Sequence, residues 1–423
     1  MSTRRDFLKT MSLASAGMML GGGQWINAMT PGSSPEQKRA SADKVKIAFI
    51  GIGNRGAQII GDFERTQQID VVALCDVDLD GRQCQEVLAK FPKAKRFRDF
   101  RKMFDEAGNE FEAVAIATPD HSHFPISMLA LAEGKHVFVE KPLARTFYEA
   151  ELLMNAAKKR PNQVTQVGNQ GHSEANYFQF KAWTEAGIIK DVTAITAHMN
   201  NARRWHGWDA NIIKFPAGQQ LPKDMDWDTW LGVNPYHDYN KDYHQGQWRC
   251  WYDFGMGALG DWGAHILDTA HEFLELGLPY EVSMLYANGH NDYFFPYSST
   301  ILFRFPQRKG MPPVDVTWYD GLDNLPPIPE GYGVQGLDPN IPTTNQTNQP
   351  QAKLNPGKII YSKDLTFKGG SHGSTLEIIP KEKAREMADK LPEVPKSPSN
   401  HYENFIRACK GLEKTRSPFE ING

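Results

Sequence analysis

The chain has 423 residues, enough for two domains with room for a third. A composition of 40 % hydrophobic, 11 % aromatic and 23 % charged residues is that of a folded globular protein and excludes wholesale disorder, collagen and coiled coil. The formal charge of −3 argues against a general nucleic-acid-binding surface. No apolar run approaches the ~20 residues of a membrane span. The four cysteines, Cys75, Cys84, Cys250 and Cys409, share no C-x-x-C spacing that would mark a zinc ribbon or a disulfide framework.

Residues 1–42 read as an address. Arg4-Arg5 precede a mildly apolar stretch at 11–23, the pattern of a twin-arginine export signal. Cleavage is expected near 26–28, and 29–42 is a linker of Pro, Gly, Ser and Lys. This route carries folded proteins, so it suits one loaded with a cofactor beforehand. A periplasmic location is expected, or a cytoplasmic one if the signal is not used.

From residue 43 apolar runs alternate with helical patterns. Strands are expected at 45–50, 69–75, 113–117, 136–140 and 164–168. Helices are expected at 57–65, 81–91, 99–107, 123–133 and 146–160. Alternating strand and helix means a parallel sheet covered on both faces, with ligands at the carboxyl ends of its strands. The first strand runs into Gly51-Ile52-Gly53-Asn54-Arg55-Gly56. In such a loop one glycine makes the turn, one admits a pyrophosphate to the backbone and one lets helix and strand pack. The second strand ends at Asp76, where a carboxylate accepts from a ribose diol and repels a 2′-phosphate. NAD is therefore expected over NADP, with Gly51, Gly53, Asn54, Arg55, Gly56 and Asp76 among its contacts.

Further along stand Ala117-Thr118-Pro119-Asp120-His121-Ser122-His123, Glu140-Lys141-Pro142, and Gly260-Asp261-Trp262-Gly263-Ala264-His265-Ile266-Leu267-Asp268. With the glycine loop, these resemble the glucose–fructose oxidoreductase / inositol dehydrogenase / MocA family over roughly residues 43–320. The resemblance implies a Rossmann domain binding NAD(P) and an enzyme acting on sugars, inositols or related polyols. It implies Lys141, Asp261 and His265 as the catalytic set. Thr118, Pro119, His123, Glu140, Lys141 and Asn169 join the cofactor contacts. Some exported relatives hydrolyse glycosides through a transient NAD-dependent oxidation; their Glu-Lys-Pro position tends to differ, which favours a dehydrogenase here. A non-catalytic dinucleotide- or sugar-binding protein is a further alternative.

The chemistry agrees with those residue types. Taking a hydride from a carbinol needs a base for the hydroxyl proton and a cation for the developing alkoxide. Lys141 follows a buried strand. Asp261 and His265, four apart, share a helix face, so the carboxylate can tune the imidazole. His172, after the last parallel strand, either meets substrate or caps a loop. His121/His123 and Asp261/His265/Asp268 are conceivable metal ligands, but their spacing is unspecific and no metal is expected.

After residue 168 the pattern changes. Helices at 173–186 and 258–275 accompany strands at 191–200, 280–287, 298–305, 314–318, 358–362, 365–368 and 375–379. The fold class is therefore α/β: an N-terminal Rossmann domain (43–168) plus a C-terminal α+β domain (169–423) with an open, mostly antiparallel sheet. A last helix at 401–410 is expected to return to the first domain. Seven of the ten tryptophans, Trp205, Trp208, Trp227, Trp230, Trp248, Trp251 and Trp262, lie close together in sequence. Such rings stack on sugar faces, while Arg203, His206 and Arg249 between them suit hydroxyls. Trp205, Trp251, Trp262, Arg203 and His172 are the expected substrate contacts, and core or subunit-interface packing is the alternative. The expected partners are a sugar or glycoside and further copies of the chain, as a dimer or tetramer.

Overall fold

The structure, a computed structural model, describes residues 43–199, 211–212, 214–244, 247–289, 291–308, 310–322, 324–333 and 355–423. It divides into two units. The first holds the described residues up to Gly168 together with Pro216–Trp248 and Tyr402–Gly423; the second holds Asn169–Phe215 and Arg249–His401.

The first unit is built on a parallel sheet of β1 (Val45–Ile50), β2 (Ile69–Cys75), β3 (Lys95–Phe97), β4 (Ala113–Ile116), β5 (His136–Val139) and β6 (Thr165–Val167). Its order is β3-β2-β1-β4-β5-β6. The central strands are apolar on both faces because helices cover both; β4 is buried at every position. Local signals set the helix starts. Asp99 caps Phe100–Ala107 by accepting from Arg101 N, and Thr146 with Glu149 forms a capping box on Phe147–Lys158. The short β3 was not visible in the sequence because its three residues are largely exposed and carry no apolar run.

Phe63 sits at the centre of one core layer. Its ring makes edge contacts with Phe49, Phe138, Tyr402 and Phe405 at 5.1–5.9 Å. Two of those partners come from the helix His401–Cys409, so the C-terminal segment is part of this core. Residues 216–248 also group with this unit, although the change of pattern at 168 assigns them to the other.

The second unit is built on a seven-stranded sheet of β7 (Val192–Met199), β8 (Glu281–Asn288), β9 (Ser298–Phe305), β10 (Val314–Asp320), β11 (Gly357–Ser362), β12 (Thr366–Gly370) and β13 (Glu377–Ile379), in the order β13-β12-β11-β7-β10-β9-β8. Its pairings are antiparallel except for the central β7–β10 pair. The helices Ala175–Glu185 and Ala264–Phe273 cover one face, burying Phe180, Trp183 and Ala270 against Ile195, Val316, Ile360 and Phe367. The edge strand β8 leaves Tyr280, Val282, Met284 and Tyr286 beside or within it exposed. Among the described residues no helix is long and apolar enough to cross a membrane.

Because Phe63 is fully buried and touches four rings, Phe63→Ala should cost about 3–5 kcal/mol. Urea unfolding followed by far-UV circular dichroism measures this, and a loss under about 1 kcal/mol would show that the layer collapses around the gap.

Candidate functional site

In the first unit the strand ends carry the dinucleotide features. Gly51 has φ +79°, and a Cβ there would lie 2.6 Å from the Ala117 carbonyl oxygen; one at Gly56 would lie 2.0 Å from that of Gly51. The loop is therefore closed to side chains at both positions. The helix that follows, Arg55–Arg65, has no side-chain cap at Asn54 and no acidic residue in its first turn. An uncapped N-terminus of this kind suits a pyrophosphate. Asp76 accepts from Ile52 N through Oδ2 at 2.9 Å and from Asp78 N through Oδ1 at 3.0 Å. It thus braces the glycine loop while keeping lone pairs for a ribose diol. At the end of β4 the buried Thr118 hydroxyl has no partner among the described residues. These residues fit NAD.

Arg55 and Glu140 join the two ends of that site. Arg55 Nε and Nη2 both donate to Glu140 Oε1, at 3.2 and 3.0 Å, and Nη2 also donates to the Tyr402 hydroxyl at 3.2 Å. Burial works against the Arg55 charge, but Glu140 and Tyr402 outweigh it and hold its pKa above the usual value. Gly168 presses on the same carboxylate: a Cβ there would lie 2.6 Å from Glu140 Oε1. Lys141, half-buried, is the next residue in the chain. His123 departs from expectation. It is buried, with Nδ1 2.7 Å from the Pro142 carbonyl and Nε2 2.9 Å from that of Thr118. Both ring nitrogens are taken up by protein oxygens, so His123 is a strut between the loops after β4 and β5 and not a cofactor contact.

In the second unit Asp261 lies on a π-helical turn, Leu259–Gly263, that runs directly into Ala264–Phe273, where His265 sits. Such turns interrupt helices frequently at functional sites. Asp261 is paired with Arg249 (Nε–Oδ1 3.4 Å). The His265 ring stacks on His372 with centroids 4.1 Å apart and an interplanar angle of 24°. Three residues on, Asp268 accepts from Asn169 Nδ2 at 2.8 Å and lies 3.1 Å from His172 Nε2. Glu272 lies 3.4 Å from His172 Nδ1 and accepts from the Tyr177 hydroxyl at 3.0 Å. Burial pushes the Glu272 carboxyl above its usual range.

Two expectations change here. His172 is 1 % exposed and sits between two carboxylates, which is a bracing role and not a substrate contact. Asn169 spends its Nδ2 donors on Asp268 and the Ala264 carbonyl rather than on a cofactor. The tryptophans change as well. Trp251 is fully buried, 5.5 Å from Phe215 and 5.7 Å from Phe294, and Trp262 packs with Ala197, Met199 and Trp318. Neither has a face for a sugar, so both are core. Trp227, Trp230 and Trp248 are buried too. Arg203, Trp205, His206 and Trp208 lie outside the described residues.

Sequence reasoning missed Lys358. It lies on β11 opposite Ala197 and Gly369, is 1 % exposed, and has Asp268 as its charged neighbour. Burial pushes its amine down to about 8, against the pull of Asp268. A lysine two places before Ile360 in an apolar strand was the available signal. Asp268 was visible as the third polar position of its helix motif, and Glu272 as its i+4 neighbour.

Comparison with known proteins bears on both units. The model of an oxidoreductase family with an NAD-binding Rossmann fold matches residues 45–168, and that of the same family's C-terminal alpha/beta domain matches residues 184–299. A glycosyl hydrolase family 109 protein of Solibacter usitatus is 29 % identical over 212 residues, covering 48 % of this chain and 47 % of that protein. An inositol 2-dehydrogenase/D-chiro-inositol 3-dehydrogenase of Lactiplantibacillus plantarum is 28 % identical over 200 residues, covering 47 % and 55 %. The chain spans about half the length of the curated relatives it matches. Among solved structures, the WlbA dehydrogenase of Bordetella pertussis, in complex with NADH and UDP-GlcNAcA, superposes with a TM-score of 0.58 at 14 % identity, covering 91 % of this chain and 92 % of that one. That likeness is one of fold.

Two outcomes follow. Asp76→Ala should weaken binding of both dinucleotides, because the loop brace is lost, but NAD more than NADP, because the diol acceptor goes and the repulsion of a 2′-phosphate goes with it. Equal losses by calorimetry would show that Asp76 only braces the loop. For Lys358, the folded value of about 8 lies below the ordinary 10.5. Its burial therefore penalises the fold fully below about pH 8, and stability rises between pH 8 and 10.5 as the proton is shed. Lys358→Met should be more stable than the parent at pH 7 and should lack that rise; parallel pH profiles of unfolding would contradict this.

Proposed function

The chain belongs to the glucose–fructose oxidoreductase / inositol dehydrogenase / MocA family of oxidoreductases, and from that premise we propose that it moves a hydride between a sugar or glycoside hydroxyl and a resident NAD, for example as a glucoside dehydrogenase forming a keto-sugar. The observation that carries this reading is the set Asp261–His265, in which the carboxylate is tied to Arg249 and the imidazole is fixed against His372. A base that is already oriented loses little entropy in reaching the transition state.

NAD supplies the hydride acceptor when bound. His265 takes the hydroxyl proton, and Asp261 sets the imidazole's tautomer. Lys141 places its cation on the substrate oxygen, where negative charge develops. Glu140, tied to Arg55, fixes the backbone from which Lys141 departs.

We further infer that the twin arginines direct export. An exported dehydrogenase cannot count on free NAD, so the cofactor must stay bound and return its hydride to a second carbonyl substrate in ping-pong fashion. A residence time of hours at an association rate of ~10⁶ M⁻¹s⁻¹ implies a Kd of order 10⁻¹⁰ M. The exposed apolar side chains of β8 support assembly as a dimer or tetramer. A second reading, glycoside cleavage through transient oxidation, is favoured by the relatives named glycosyl hydrolase family 109. Net keto-sugar formation separates the first reading from net aglycone release.

Lys141→Ala should abolish turnover and leave NAD bound, and His265→Ala should lower kcat by roughly 10²–10⁴. Stopped-flow reduction of bound cofactor across a panel of glucosides and polyols measures both. Near-parental rates in either variant would remove that residue from the chemistry.

A further inference from the structure

The segment Pro216–Trp248 was read from the sequence as part of the second domain, yet it packs with the first unit. Its attachments are specific. Asp226 N donates to the Val77 carbonyl at 2.9 Å, just beyond β2. Thr229 Oγ1 accepts from Arg101 Nη2 at 3.3 Å, just beyond β3, where Arg101 is itself held by Asp99. The Trp230 carbonyl lies 2.7 Å from His121 Nε2, just beyond β4, with the two rings 5.1 Å apart. Val77 is in a loop, and Arg101 and His121 are in the first turns of the helices Phe100–Ala107 and Asp120–Ala132; all three lie at the carboxyl edge of the parallel sheet, where such sheets bind their ligands. Val77 and Arg101 follow β2 and β3, the side on which Asp76 would meet the adenosine ribose, and His121 follows β4 across β1, so the segment spans from that side to the middle of the sheet.

The segment is stiff in its own right. Trp227 stacks on Trp230 at 4.5 Å and 12° and lies parallel to Tyr243 at 6.4 Å. Trp227 Nε1 donates to the His237 carbonyl at 2.8 Å. Asp226 caps the short helix Trp227–Leu231 through Thr229 N and Thr229 Oγ1. The partly buried His244 senses Asp78 and Asp76, although burial dominates and lowers its pKa. A stacked aromatic body pinned at three places along the ligand edge, with His244 close enough to feel the charges of Asp78 and Asp76, has the build of a wall.

We propose that the segment 216–244 is a fixed cover over the adenosine half of the dinucleotide site, and that it makes NAD resident by requiring the Val77, Arg101 and His121 anchors to open before the adenosine can leave. This rests on the resident-cofactor reading above.

The test is the release rate of NAD from the purified full chain, chased with excess unlabelled NAD, in the parent and in His121→Leu, Thr229→Val and Trp230→Ala. Near-UV circular dichroism identifies any variant that has lost its fold, and the remaining ones decide. Release should quicken by tenfold or more in the variants. ADP-ribose, which keeps the adenosine half, should show the same acceleration, while the affinity for nicotinamide mononucleotide, which lacks it, should not change. Unchanged NAD release in all folded variants overturns the cover. So does an equal weakening of nicotinamide mononucleotide, which would mean a general loosening. If the parent itself releases NAD within seconds but the variants are still faster in the same proportion, the cover stands and the resident-cofactor reading falls.

Discussion

The Arg55–Glu140 ion pair links the two functional ends of the first unit. Arg55 belongs to the glycine loop that would receive the phosphates; Glu140 precedes the lysine assigned to the hydride-transfer end. Their bond, shared with the Tyr402 hydroxyl, therefore ties the glycine loop to the loop after β5. Glu140 is buried, so removing Arg55 would strand an uncompensated carboxylate rather than merely lose a contact. Tyr402 also carries the C-terminal helix into the core around Phe63, so packing of the chain's last segment and geometry of the loop support one another. His123 adds a second tie, between the loops after β4 and β5.

The second unit solves a different problem, which is to keep several charges out of water around one helix. Asp268, Glu272, His172 and Lys358 gather there, with Asn169 and Tyr177 donating into the cluster. Such groups cost stability unless they are paired. The cluster sits within a turn or two of His265 on the same helix, so the rigidity that serves the assigned base comes from groups that do not themselves need to react.

Much of the first unit was legible because buried parallel strands are continuous apolar runs and their loops carry glycine signals. β1 and β2 appear at the expected residues. The β3 strand was not legible, since its three residues are largely exposed and only Phe97 packs against the core. In the second unit the strand positions followed from apolar alternation. What sequence spacing does not encode is which surface a side chain meets: Trp251 and Trp262 have the composition of a sugar platform but are packed from all sides. Nor does it encode which unit a loop-rich stretch joins. The contacts that bring residues 216–248 to the first unit are a backbone hydrogen bond to Val77 and two side-chain bonds more than a hundred residues distant in sequence. Burial of Lys358 likewise depends on strand register against Ala197 and Gly369, which no local pattern shows.

The most direct test of the central claim needs no mutation. The purified chain, with no NAD added, is mixed with single glucosides and polyols while the absorbance of reduced nicotinamide is followed and the product is analysed by mass spectrometry. The account predicts a burst of reduced cofactor, stoichiometric with the protein, together with one equivalent of a keto-sugar two mass units lighter than its parent. A protein that arrives without cofactor and reduces added NAD with none of these substrates, or that releases aglycone with no keto-sugar left behind, would contradict it.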